Sequence, residues 1–184
     1  MQDELVDAGL AIADEEGLEA VSIRRVARRV GLPTMSVYTH VASKDALVAL
    51  MFDRMSAGLV VPEPLPRDVR ELLRKIARRS FDAYLAHPWM LHAFGRRPAP
   101  GPNQRRRAEQ SAQAAAGLGI DAGRAWLAVG IVHEWAMGHA LHVVTLREAP
   151  AVGAAAGRDA AAVAAGFEDA LEAVLDGIES RFGG

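Results

Sequence analysis

The chain has 184 residues, of which 51% are hydrophobic, a formal net charge of −2 and no cysteine. This length suits one large domain or a medium domain with a small one attached. The missing cysteines exclude a disulfide framework, a thiolate metal site and a cysteine nucleophile. The acidic start lacks the basic region of a secretion signal, and no run reaches the ~18 apolar residues that span a bilayer. We therefore expect a cytoplasmic protein.

Apolar residues recur at helical spacing through residues 1–58. The first set of apolar residues at this spacing predicts a helix that ends near Gly17. Ser22 is predicted to cap a second helix that stops at Gly31, and Ser43 to cap another that ends near Gly58. Three prolines in VPEPLP, residues 61–66, then break the pattern. We place the boundary there and predict domains at 1–58 and 67–184.

Helical signals continue beyond the break, and strand signals are nearly absent. The predicted helices cover residues 67–85, 89–94, 103–117, 121–146 and 158–182, with Asp121 as a cap. The fold class is therefore predicted to be all-α. A three-helix helix-turn-helix domain would be followed by a C-terminal helical bundle for ligand binding and dimerisation.

Positive charge is concentrated in SIRRVARRVGLPTMSVYTHVASK, residues 22–44. It holds five basic residues and no acidic one, although residues 1–58 carry a net charge of −3. A local basic patch is what phosphate binding needs. Ala27, Gly31 and Val37 have the spacing of a helix-turn-helix, with a small residue for a close crossing, a glycine for the turn and a buried valine.

The second helix of this motif, residues 34–40, would enter the major groove of DNA with its N-terminal end toward the bases. Thr34, Ser36 and Thr39 suit contacts with base edges. Tyr38, His40 and Lys44 suit the phosphate backbone. The alternative is a plain three-helix bundle whose exposed face is polar.

These residues resemble a known family. SIRRVARRVGLPTMSVYTHVASKDAL is similar to the DNA-binding domain of the TetR family of bacterial transcriptional regulators, most specifically in Y-x-H-V-x-x-K-D-x-L, residues 38–47. Residues 87–104 resemble the C-terminal domain of its tetracycline-repressor-like branch. The resemblance implies a homodimer that binds a palindromic operator and leaves it when a small molecule binds. The positions that match DNA-contacting residues of the family are Arg24, Thr34, Met35, Ser36, Tyr38, Thr39, His40 and Lys44.

The helix predicted at 121–146 is apolar almost all round, which favours burial on both sides, between a ligand cavity and a partner subunit. Trp126, His133 and Met137 fall on one side, and Trp135 and His139 on nearly the opposite one. Which side faces the cavity stays open. The ligand-binding candidates are Trp89, His92, Phe94, Trp126, His133, Met137 and His139. The alternative is core packing with hydrogen-bonded histidines.

The last helix, 158–182, shows an apolar stripe made of Phe167, Leu171, Val174, Leu175 and Ile178. The resemblance places this helix, together with 121–146, in the dimer interface. A lone terminal helix could instead bury the stripe on its own bundle.

Metal and enzyme chemistry find little support in the sequence. His139 and His142 supply two ligands, which is half a metal site, and the pair His133-Glu134 lacks the second histidine of H-E-x-x-H because residue 137 is Met. We expect no cofactor. The prediction is a ligand-responsive DNA-binding repressor that is not an enzyme. The alternatives are a small helical enzyme acting on an apolar molecule through a His/Trp pocket, and a helical adaptor.

Overall fold

A computed structural model describes residues 1–92, 100–149 and 159–182, and every regular element in these ranges is helical. The prediction of an all-α fold is confirmed. None of the described helices combines the length and apolar character needed to cross a bilayer. The elements are α1 (Gln2–Glu16), a 3-10 turn (Leu18–Ala20), α2 (Ile23–Arg29), α3 (Thr34–Tyr38), α4 (Lys44–Leu59), α5 (Val69–Ala86), α6 (Trp89–His92), α7 (Pro102–Gly117), α8 (Ala122–Glu148), α9 (Ala160–Ala165) and α10 (Phe167–Phe182).

The chain forms two compact units. The N-terminal unit takes in residues 1–58 and 87–106, and the C-terminal unit residues 59–86 and 107–184. Residues 87–106 thus belong to the N-terminal unit although they follow α5 in the chain. The domain limits 1–58 and 67–184 stay a prediction.

The predicted helix caps are present. The Ser22 hydroxyl accepts a hydrogen bond from the Arg25 amide at 3.3 Å, and the Ser43 hydroxyl accepts one from the Ala46 amide at 3.1 Å. The Asp121 carboxylate accepts amide hydrogen bonds at 2.9 and 3.2 Å. Each cap satisfies backbone donors that the first turn of a helix leaves unpaired. The sequence therefore predicts where α2, α4 and α8 begin.

The core of the N-terminal unit lies between α1 and α4. Leu5 and Ile12 of α1 and Leu47 and Met51 of α4 are at most 2% exposed. A Cβ at Gly9 would lie 2.8 Å from the Met51 sulfur, so a larger residue there would require the Met51 side chain to shift.

The short helix α6 is fastened to this core. Trp89 packs edge-on against Phe52, with ring centroids 5.5 Å apart, and its indole N–H donates to Asp14 Oδ1 at 2.7 Å. The same Asp14 oxygen lies 2.7 Å from Nδ1 of His87. The helix predicted at 89–94 is observed to His92, and residues 93 and 94 lie outside the described ranges.

Stacked aromatic rings form the centre of the C-terminal unit. Phe81 of α5 stacks on Phe167 of α10 with ring centroids 4.0 Å apart, and Trp135 of α8 lies 5.1 Å from Phe167. Leu171, Leu175 and Ile178 are buried with Phe167, whereas Val174 is half-buried. The last helix therefore buries most of this stripe within its own bundle, and its place in a dimer interface stays a prediction.

The helix predicted from 158 to 182 is two helices in the structure. The chain leaves helical geometry at Gly166, which ends α9 before α10 begins at Phe167. Glycine has the largest backbone freedom to lose and weakens a helix where it occurs in the middle. The predicted helix runs through Gly166 because its apolar spacing continues on both sides of this glycine.

Arginines on α5 pair with carboxylates on α10 along the edge of the unit. Arg70 lies 2.6 Å from both Glu172 and Asp176, and Arg74 lies 2.6 Å from Glu172. The hydrogen bond from Arg74 has the largest effect on the pKa of Glu172, followed by the one from Arg70. Together they lower this pKa from its ordinary 4.5 to about 2. The carboxylate therefore stays ionised at neutral pH, and the pairs persist there.

Candidate nucleic-acid interface

The turn between α2 and α3 has the geometry expected of a helix-turn-helix. Ala27 is 1% exposed and Val37 is fully buried. Gly31 takes a positive φ of 71°, and the amide of Leu32 donates to the carbonyl of Ala27 at 2.9 Å. Residues with a side chain rarely adopt that backbone conformation, so the turn depends on glycine. The predicted second helix, 34–40, is observed as Thr34–Tyr38 followed by a turn.

Most of the side chains of α3 and of the turn after it face solvent. Met35 is 76% exposed and Tyr38 is 47% exposed. Thr39 and His40 are exposed as well, while Thr34 and Ser36 are half-buried. The Thr39 hydroxyl donates to the Ser36 carbonyl at 2.7 Å and keeps its lone pairs as acceptors. The structure thus places Thr34, Met35, Ser36 and Tyr38 on one short helix and Thr39 and His40 in the turn that follows it.

Only part of the predicted basic patch is unpaired. Arg29 donates to both oxygens of Glu15, at 2.7 and 2.5 Å, and Arg25 pairs with Glu16. These hydrogen bonds lower the pKa of both glutamates. Within the described ranges no ion pair involves Arg24, Arg28 or Lys44. We call these three cations and the exposed side chains of α3 the recognition surface.

Further contacts hold α1 and α4 beside the end of α3. The side-chain amide of Gln2 donates to the carbonyl of His40 at 3.2 Å. Arg54 of α4 pairs with Asp7 at 2.9 Å and also with Asp3. These contacts join α1 to the end of the turn after α3 and to α4.

Asp53 of α4 caps α7. Its Oδ1 accepts from the amides of Asn103 and Gln104 at 2.9 and 3.1 Å, and its Oδ2 accepts from the Asn103 side chain at 2.9 Å. A Cβ at Gly101 would overlap the Asp53 carboxylate, so glycine is required there. Sequence reasoning missed this cap because Asp53 and Asn103 are 50 residues apart.

The predicted ligand-binding residues do not all lie in the same unit of the structure. Trp89 belongs to the N-terminal unit, where it is buried and bonded to Asp14. His92 ends α6, but its side chain and all of Phe94 fall outside the described part of the chain. Trp126 is 50% exposed on α8. Their role in ligand binding stays a prediction.

His139 has the environment of a core histidine. Its Nε2 donates to the carbonyl of Val163 at 3.0 Å, and its ring lies 5.6 Å from both Phe81 and Phe167. Among the described residues no group of three potential metal ligands occurs. The observed hydrogen bond matches the alternative of a satisfied core histidine, while a role toward ligand is untested.

His133 joins a polar cluster in the C-terminal unit that also contains Arg107, Ser111 and Ser80. Its Nε2 lies 3.1 Å from the Ser111 hydroxyl and its Nδ1 lies 3.3 Å from Nη2 of Arg107. The same Nη2 lies 3.5 Å from the Ser80 hydroxyl. Ser80 and Ser111 are buried, and Met137, one turn further along α8, is half-buried. The spacing of Arg107 and Ser111, four residues apart on α7, is the sequence signal that could have found this cluster.

The direction of these hydrogen bonds argues against a serine nucleophile. A guanidinium only donates, so Nδ1 of His133 has to accept from Arg107. In the neutral ring Nε2 then carries the proton and donates to the Ser111 oxygen. A general base needs a lone pair at that nitrogen to take the serine proton. In this arrangement Ser111 accepts a hydrogen bond from His133 and does not donate one to it.

Comparison with known proteins assigns the chain to a family. Residues 5–51 match the family model of bacterial regulatory proteins of the tetR family, and residues 61–166 match the tetracyclin repressor-like C-terminal domain. The chain belongs to the TetR family. The second match covers more than half of the chain, and the first one contains the helix-turn-helix described above. The resemblance carried by residues 22–47 is thereby confirmed.

Individual TetR proteins are similar over shorter stretches. The chain is 41% identical over 106 residues to the HTH-type transcriptional repressor DrrR1 of Streptomyces coeruleorubidus, which is 55% of this chain and 38% of that protein. It is 31% identical over 120 residues to an HTH-type transcriptional regulator of Saccharopolyspora erythraea, which is 64% of this chain and 51% of that one. The chain thus matches about half or less of the length of these curated relatives.

A solved TetR structure is similar over nearly the whole chain. Streptomyces coelicolor ActR in complex with (S)-DNPA superposes with a TM-score of 0.73 at 26% identity, covering 99% of this chain and 98% of that one.

Two alanine substitutions test the turn of the helix-turn-helix. A Cβ added at Gly31 or at Gly58 would have no other atom within 4 Å, but only Gly31 has a positive φ. Gly31→Ala should therefore lower the free energy of unfolding by about 1–2 kcal/mol. Gly58→Ala, in the last turn of α4, should raise it by up to about 1 kcal/mol. Urea unfolding of both variants measures the difference, and shifts of the same sign would contradict this account of the turn.

Proposed function

We propose that this protein is a transcriptional repressor that binds a palindromic operator as a homodimer and is released by a small-molecule effector. The observation that carries the proposal is the recognition surface, where α3 exposes Met35 and Tyr38 beside Arg24, Arg28 and Lys44. Membership of the TetR family supports it. In this proposal the chain is a regulator and not an enzyme, in line with the direction of the hydrogen bond from His133 to Ser111.

The chemistry of the recognition surface divides its residues by role. Thr34, Ser36 and Thr39 offer hydroxyls to base edges, and Met35 offers an apolar contact that only a thymine methyl group matches well in the major groove. Tyr38, His40 and Lys44 would contact phosphates, which fix the register of the helix on the duplex. Arg24, in the first turn of α2, would contact either a phosphate or a guanine edge.

Exposed faces of α8 and α10 support a homodimer. Leu127 and Leu141 of α8 are 58% and 42% exposed. Gly138 on α8 and Gly177 on α10 have open space where a Cβ would lie. Small residues on an exposed helix face allow a second helix to approach closely, and the leucines would be covered by it. Two α3 helices in such a dimer would read half-sites about 34–36 Å apart.

For the effector we propose a site that includes the polar cluster of His133. Arg107 and His133 offer hydrogen-bonding groups beside apolar side chains, which is the composition of a pocket for a small organic molecule. The ligand-bound state of ActR, a relative of this chain, supports an effector of that kind. Trp89, His92, Phe94, Trp126, Met137 and His139 remain further candidates. Release from DNA would follow from the difference in effector affinity between the two states of the dimer.

Substitutions in the recognition surface test the DNA-binding role. Lys44→Ala should weaken binding to every duplex and reduce the magnitude of the salt slope, d log K/d log[salt], by about 1.8, because a dimer loses two phosphate contacts, one from each protomer. Ser36→Ala should change the preferred sequence and leave the slope unchanged. Fluorescence anisotropy with labelled duplexes at several salt concentrations measures both effects. If neither variant differs from the wild type, the proposed docking of α3 is wrong.

A charged residue in the open face of α8 tests the dimer. Gly138→Arg places a long cation where a second helix would approach, so the variant should run as a monomer in light scattering at micromolar concentration, where the wild type runs as a dimer. Ala116→Arg, which places the same cation on the exposed side of α7, serves as the control and should remain dimeric. A monomeric wild type, or a dimeric Gly138→Arg variant, would contradict this interface.

A further inference from the structure

Two ion pairs join the end of α1 to α2, the helix that carries four arginines. Glu15 takes two hydrogen bonds from Arg29, and Glu16 pairs with Arg25. The four side chains are between 30% and 52% exposed, so water and salt reach both pairs. Because the pKa of each glutamate is lowered by its arginine, both carboxylates are ionised at neutral pH.

The paired and the unpaired arginines lie on different faces of α2. Arg24 and Arg28, four residues apart, lie on one face, and Arg25 and Arg29 lie on the next. In the described part of the chain, only the second face is paired with carboxylates. An arginine that already has a carboxylate partner has to break that pair before it neutralises a phosphate. It therefore contributes less to counterion release, which is the main source of non-specific affinity for DNA.

We propose that Glu15 and Glu16 set the ratio of operator binding to non-specific binding by withholding Arg25 and Arg29 from phosphates. The inference rests on the proposed function, since it requires a DNA-binding protein. Non-specific binding depends almost wholly on phosphate contacts and is weakened most, whereas operator binding also draws on the base contacts of α3. Glu15 and Glu16 are positioning residues, because they act through the two arginines.

The test compares the wild type with the double variant Glu15→Gln/Glu16→Gln on a random-sequence duplex and on an operator obtained by selection. Freed arginines should add phosphate contacts, two in each protomer of the dimer, so the salt slope on the random duplex should steepen by up to about 3.6. Affinity for the random duplex should rise more than affinity for the operator. The ratio of the two affinities should therefore fall.

The matched control is Glu168→Gln/Glu179→Gln in the C-terminal unit. It also removes two negative charges, and it leaves Arg78 paired with Asp82 and Arg70 paired with Glu172. The control should keep the wild-type slope and ratio. Equal slopes in the two double variants would overturn this proposal alone, whereas a wild type that binds no duplex at all would contradict the proposed function with it.

A second variant covers the case in which loss of the glutamates prevents folding. Arg25→Gln/Arg29→Gln removes the two paired cations and keeps Glu15 and Glu16. If the pairs withhold these arginines, the salt slope on the random duplex should stay close to that of the wild type. A slope shallower by about 3.6 would show that both arginines of each protomer already contact phosphates, and would overturn the proposal.

Discussion

The close crossing of α2 and α3 is the constraint on which the recognition surface depends. Ala27 is buried at the crossing, and Gly31 turns the chain through a φ of 71° four residues later. A larger side chain at the first position would have to displace buried neighbours, and a side chain at the second would strain the backbone at that φ. Val37 is fully buried, whereas its neighbours on α3, Met35 and Tyr38, are 76% and 47% exposed.

Ion pairs within the N-terminal unit determine which cations of the recognition surface are left for phosphates. The chain has a net charge of −2, so bulk charge does not draw it to DNA. Several acidic residues of α1 are used internally, by Arg54, Arg25 and Arg29. Among the residues that the structure describes, what remains unpaired beside α3 is a small group of cations. Few phosphate contacts favour modest non-specific affinity, which leaves more of the discrimination between sites to base contacts.

Local features of the sequence predicted much of the fold. Serine and aspartate caps, glycine at the turn and apolar spacing depend on neighbours within a few residues, so α2, α4 and α8 begin where expected. The break at Gly166 was missed because helix propensity alone does not fix where a glycine interrupts a helix. Contacts between distant residues were also missed. Counting charge in residues 22–44 alone could not reveal Glu15 and Glu16, and no local pattern connects Asp53 with the start of α7.

The central claim is sequence-specific binding of duplex DNA by a dimer. The most direct measurement is selection from random duplex DNA by the purified protein, followed by titration of the enriched sequence at two salt concentrations. A dimer of this kind should enrich a palindrome with half-sites about one helical turn apart, and its affinity should fall as salt is raised. Absence of any enrichment, even at low salt, would contradict the claim.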